Sequence, residues 1–270
     1  MSRNFELLQQ LGKGGELFKS HKPPRVSVAR PAPPPAPVAV ALPLQNEVKA
    51  PAENHRGPLK GEAPASAEEL KLAHHLLTLS ATGQGSVVMF SGVGDDLGCT
   101  SICARSAPLL AEQSRAPVCL VDANLASPSL HQFFGVENRM GLADALCSQA
   151  RLRDSAQRLS QENLWLIPAG TWTPSDNGLL ASAALRSSID DLRQAFTHII
   201  VCAPSVTHNP DSLLIGQLMD GVFLVLEAET TRREAAKRAK ADLEATDARV
   251  LGVVLNNRKF HIPEPIYRML

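Results

Sequence analysis

The chain has 270 residues, 44% hydrophobic and 20% charged, with 27 basic side chains against 27 acidic ones and a formal net charge of +0. This is the composition of an ordinary globular protein, and the lack of a global field argues against nucleic acid or an anionic surface as partner. No apolar run reaches the roughly 18–20 residues of a membrane-spanning helix. Met1 to Phe18 also lacks a continuous apolar stretch of the signal-peptide kind, so the expected location is cytoplasmic.

Asn4 to Phe18 has the makings of a short helix, interrupted by Gly12, Gly14 and Gly15. Pro23 to Pro64 holds eleven of the twenty prolines and reads as an extended, partly polyproline-II spacer, with Pro31 to Pro37 as an alternative docking motif. Residues 1–65 are therefore expected to be a disordered Pro/Ala-rich arm and linker, and 66–270 a single α/β domain. Glu68 to Leu79 has helical periodicity, with Ser66 as N-cap and Glu69 three positions on. Strands are predicted at Ser86 to Phe90, Val118 to Val121, Leu164 to Ile167, His198 to Val201, Gly221 to Leu226 and Val250 to Leu255. All six are continuous apolar runs, the pattern of strands buried on both faces. Helices are predicted between them at Ser101 to Glu112, Leu180 to Phe196 and Arg232 to Thr246. This alternation gives a doubly wound, mostly parallel sheet flanked by helices. Ligands of such sheets bind at the carboxyl ends of the strands, here after Phe90, Val121 and Val201.

The first of these loops, Ser91 to Thr100, carries Gly92, Gly94 and Gly98 and opens a helix at Thr100 and Ser101. Such a loop either cradles a phosphate with inward backbone N–H groups or is a plain strand-to-helix turn. A working phosphate loop ends in Gly-Lys-Ser/Thr, and here Cys99 holds the lysine position. Asp95 and Asp96 add two negative charges beside the expected polyphosphate. Charges about 4 Å apart interact by roughly 1 to 4 kcal/mol at effective dielectrics between water and a protein surface. The five cysteines, Cys99, Cys103, Cys119, Cys147 and Cys202, show no CxxC pair or Cys/His ligand spacing and read as reduced thiols, buried or half-buried.

Five further segments give the loop its context. Cys119-Leu120-Val121-Asp122-Ala123-Asn124 runs on to Pro128-Ser129-Leu130-His131 and Phe133-Phe134-Gly135. His198 to Pro204 is an apolar strand ending Cys202-Ala203-Pro204. Gly141-Leu142-Ala143-Asp144-Ala145-Leu146, Leu164 to Gly170 and Gly252 to Arg258 with Ile262-Pro263-Glu264 follow in order. Together, over roughly Glu68 to Leu270, these resemble the bacterial tyrosine autokinases associated with polysaccharide co-polymerases. The broader Min/Par-type P-loop superfamily matches only the first three motifs.

The resemblance implies ATP and magnesium held by Gly92, Gly94, Gly98, Thr100 and Ser101, with Thr100 and Asp122 toward the metal and Asp122 activating the attacking tyrosine. It also implies a lysine at Cys99, an acid at Cys202 and an arginine at Ala126, all three replaced here. The expectation is a degenerate member that binds ATP and magnesium weakly or not at all and acts as regulator or scaffold in exopolysaccharide or capsule synthesis and export. The alternatives are an active ATP-dependent tyrosine autokinase with an atypical loop and a Par-like positioning module. The implied partners are a membrane polysaccharide co-polymerase and an active kinase relative, with no nucleic acid. In place of the family's tyrosine cluster stands Tyr267, either a modification site or a packing residue. Glu68, Lys71 and His74 occupy the positions of a helix that docks neighbouring subunits into a ring, or else form a solvated face. The run Arg232, Arg233, Lys237, Arg238 and Lys240 is a solvated basic face or a docking face for an acidic partner or membrane.

Overall fold

The computed structural model describes residues 66–79, 85–94, 98–173, 178, 180 and 183–257. The expected N-terminal arm, Asp95, Asp96, Tyr267 and the tail beyond Asn257 lie outside them. The first element, α1 (Ala67–Thr78), begins as predicted: Glu69 N donates to Ser66 Oγ at 3.2 Å, and Ser66 N donates back to Glu69 Oε2 at 2.8 Å. This reciprocal cap satisfies two helix-end donors. Ser66→Ala is expected to cost about 1 kcal/mol, read as a lower urea midpoint with an unchanged m-value. Glu69 Oε1 also pairs with Arg105 Nε at 2.7 Å and ties α1 to the next helix.

Strands and helices then alternate: β1 (Ser86–Gly92), α2 (Cys99–Ser114), β2 (Val118–Asp122), α3 (Leu130–Phe134), α4 (Leu142–Ser148), β3 (Gln157–Arg158), β4 (Leu164–Ile167), α5 (Ala183–Ala195), β5 (His198–Ala203), α6 (Asp211–Gly216), β6 (Gly221–Glu227), α7 (Arg233–Glu244) and β7 (Val250–Asn256). The seven strands form one sheet in the order β3-β4-β2-β5-β1-β6-β7, parallel except for the two-residue edge strand β3. Successive side chains of a strand point to opposite faces, and the core divides accordingly. Val87, Met89, Val121, Ile199 and Val201 face α4, α5 and α7. Val88, Phe90, Leu120, Ile200 and Cys202 face α1, α2 and α3. On that second face Phe90 stacks on Phe223 with ring centroids 5.2 Å apart. Each fully buried side chain of this size contributes about 1.5–3 kcal/mol.

One prediction needs correcting. The run at Val250 to Leu255 reads as a strand buried on both faces, but Val253 and Leu255 are 55% and 51% exposed. Among the described residues β7 is the sheet edge, and Val253 and Leu255, which share one face of the sheet, meet solvent there. Among the described residues no helix is long and apolar enough to cross a membrane.

Candidate functional site

The carboxyl ends of β1, β5 and β2 lie side by side. Phe90 and Asp122 flank Cys202 in register, one from each neighbouring strand. Gly98 is the N-cap of α2, which brings Cys99 in its first turn over this edge. The Sγ atoms of Cys99 and Cys202 are 3.9 Å apart, so the positions that the resemblance gives to a lysine and an acid face one another. Cys103, one turn further along the same helix face, brings a third sulfur, and all three lie within 4.8 Å of one another. Cys99, Cys103 and Cys202 are 1%, 0% and 2% exposed.

Asp122 is buried as well. Its Oδ2 accepts from Ser129 N and Leu130 N, both at 3.1 Å, and its Oδ1 from Asn124 N at 3.2 Å. It forms no ion pair with a described residue. Burial, reinforced by the neighbouring Cys202, pushes this carboxyl up to about 7 against the pull of those three N–H groups. The Cys99 thiol is raised, first by its hydrogen bond with Cys103 and then by that with Cys202. Cys103 is raised chiefly by burial. Cys202 moves the other way because Cys103, then Cys99, hydrogen-bond to it. Of the three thiols Cys202 is therefore the readiest to give up its proton, and among the described residues the site gathers thiols and a carboxyl without a cationic side chain.

The loop is held from below. Gly92 O accepts from Val206 N at 3.1 Å and from Ser205 Oγ at 3.2 Å. Gly94 has φ +100°, a conformation that favours glycine, and its N–H donates to Thr207 Oγ1 at 3.0 Å. A Cβ at Gly98 would collide with the amide of Asn256, whose Nδ2 donates to Glu227 Oε2 at 3.1 Å. Thr100 Oγ1 shares a hydrogen bond of 2.8 Å with Ser129 Oγ, and Ser101 is exposed. Gly92, Gly94, Gly98, Thr100, Asp122, Cys99 and Cys202 therefore converge on one edge of the sheet, with Ser101 at its rim.

Glu68, Lys71 and His74 lie apart from this edge, all exposed on α1. The basic run is exposed on α7 and its approach, with Lys240 Nζ 3.2 Å from Glu244 Oε1. The resemblance segment at Gly141 has a structural explanation. Asp144 Oδ2 accepts from Gly141 N at 2.8 Å and Thr171 N at 3.1 Å, while Leu142 N donates to Pro168 O at 2.8 Å, stitching α4 to the strand β4 exit.

Sequence reading missed Cys103, Ser129 and Asn256. The i,i+4 spacing of Cys99 and Cys103 was visible, but the third sulfur comes from a strand a hundred residues away and leaves no local pattern. Ser129 and Asn256 reach the loop through chain reversals that spacing alone does not encode.

No protein-family model matches the chain. It is 27% identical to Tyrosine-protein kinase YwqD of Bacillus subtilis over 180 residues, 67% of this chain and 76% of that one. It is 23% identical to Tyrosine-protein kinase wzc of Salmonella typhi over 188 residues, which are 70% of this chain but 26% of wzc. With the Succinoglycan biosynthesis transport protein ExoP of Rhizobium meliloti it shares 27% identity over 179 residues, covering 65% of this chain and 23% of that protein. Among solved structures, the kinase domain of the Escherichia coli tyrosine kinase ETK superposes with TM-score 0.63 at 21% identity, covering 72% of this chain and 76% of that one. The Aquifex aeolicus cell division protein MinD gives TM-score 0.55 at 20% identity over 68% of this chain and 73% of its own. The homologues of this chain are thus bacterial tyrosine-protein kinases, and its sheet has the fold of the ETK kinase domain and of MinD.

Proposed function

We propose that this chain is a tyrosine-kinase-like P-loop protein that has lost phosphoryl transfer and serves as a regulator or scaffold in exopolysaccharide or capsule synthesis and export. The observation that carries the reading is the contact between Cys99 and Cys202, 3.9 Å apart and buried, at the two positions where the resemblance calls for lysine and an acid. Phosphoryl transfer rests on positioning and on electrostatic stabilisation by the lysine and the metal ion. Two thiols supply neither the ammonium for the terminal phosphates nor the hard oxygen that orders a magnesium shell. The residues present therefore do not fit magnesium ATP, although Thr100 and Asp122 remain.

The relatives give the setting. Several are tyrosine-protein kinases, and one is a succinoglycan biosynthesis transport protein. By extension the partner of this chain is a membrane polysaccharide co-polymerase or an active kinase relative, met at the cytoplasmic face of the membrane. Self-association through Glu68, Lys71 and His74 belongs to the same reading, as does modification of Tyr267 by such a relative. Titration with a fluorescent ATP analogue and magnesium tests it: no saturable binding is expected. Micromolar binding followed by radiolabel on Tyr267 overturns it in favour of an active autokinase.

A further inference from the structure

Three sulfur atoms meet inside the α1–α2 face of the core, and the reading above uses only two of them. Cys99 and Cys103 stand four residues apart on α2, and Cys202 meets them from the end of β5. A metal–thiolate bond of about 2.3 Å puts neighbouring sulfurs of a tetrahedral site about 3.8 Å apart, and those of a trigonal site about 4.0 Å. The Cys99–Cys202 separation of 3.9 Å already lies in that interval, and the whole triad needs little contraction from its 4.8 Å limit.

We propose that Cys99, Cys103 and Cys202 together bind one thiophilic metal ion of the zinc(II) or copper(I) class. Thiolate ligands select such ions, whereas magnesium and calcium take oxygen. Binding of a divalent ion forms three metal–sulfur bonds and releases three thiol protons to solvent, leaving one net negative charge on the three-sulfur site. That charge lies on sulfurs of which one, Cys99, stands in the first turn of α2, a sixteen-residue helix whose N-cap, Gly98, supplies no side-chain cap. The positive end of the helix dipole stabilises it. The burial of all three sulfurs keeps competing water away from the ion. The inference shares Cys99 and Cys202 with the reading above and adds Cys103, which belongs to none of the phosphate-handling positions.

The test uses the full chain, reduced with a phosphine, freed of metal and titrated with Cd2+ alone. The readout is the ultraviolet charge-transfer band that thiolates give with cadmium. The expected result is saturation at one ion per chain, with affinity at least ten-fold lower in both Cys103→Ala and the near-isosteric Cys103→Ser. Cys147→Ala, which alters the exposed cysteine, leaves the titration unchanged. In the unaltered chain the thermal midpoint rises on addition of Zn2+ and not of Mg2+, a readout that needs no variant to fold. Absence of the band and of the Zn2+ shift overturns the proposal, as does a band that survives both Cys103 substitutions or disappears with Cys147→Ala. A negative result leaves the ATP titration above untouched, so the two readings fail separately.

Discussion

A chain carrying Cys99→Lys and Cys202→Asp together is expected to bind magnesium ATP at least ten-fold more tightly than the parent. The order predicted is double variant, then Cys99→Lys alone, then the parent, with Cys202→Asp alone no better than the parent. Asp122 sits beside Cys202 in register and has no ion-pair partner among the described residues. An ammonium introduced at Cys99 therefore enters a site that already holds an acid, and its buried charge is compensated. A carboxylate introduced at Cys202 alone lies next to Asp122, and two neighbouring carboxylates do not ionise together at low cost. Only the pair restores both a cation for phosphate and an acid for the metal shell. At effective dielectrics between water and a protein surface, a charge pair about 4 Å apart is worth roughly 1 to 4 kcal/mol, and 1.4 kcal/mol is a factor of ten. Equilibrium titration of the four chains with a fluorescent ATP analogue gives the order directly. Equal affinities in all four would show that the two thiols do not set nucleotide affinity.

The sheet was legible because every strand but β3 is a short apolar run and the runs alternate with helical segments. Val87 and Met89 on one face, with Val88 and Phe90 on the other, are what buried parallel strands require. The capping box at Ser66 and Glu69 was legible for the same kind of reason, since its partners are three residues apart. The short helices α3, α4 and α6 were not, because five to seven residues hold too little of a 3.6-residue period to be told from a turn. The two-residue β3 carries no pattern at all. At the candidate site the resemblance brought Cys99, Asp122 and Cys202 to one edge, yet what Asp122 does there depends on backbone donors. Ser129 N and Leu130 N return to it seven and eight positions later, and only the fold shows that its carboxyl is enclosed.

That enclosure predicts a crossing of stabilities with pH. In the metal-free chain, Asp122 is raised to about 7 from the ordinary carboxyl value of 3.8, so between those limits the folded state holds a proton that the unfolded state has lost. Stability from this group is then fully present below about pH 4, falls as pH rises, and is gone above about pH 7. The difference between the two values corresponds to about 4 kcal/mol over that window. Asp122→Asn removes the slope. Its single amide oxygen can keep the Ser129 and Leu130 donors but loses the bond from Asn124 N, at a cost of about 1 kcal/mol. The Asn variant should therefore be less stable than the parent at pH 4 and more stable at pH 8. Asp122→Ala leaves all three backbone donors unpaired and should be less stable than the Asn variant at both. Urea unfolding of the three chains in chelator at the two pH values measures this. A parent more stable than the Asn variant at pH 8 would mean that the carboxylate is welcome in its ionised form, and that the backbone donors at Asn124, Ser129 and Leu130 outweigh the desolvation of the charge.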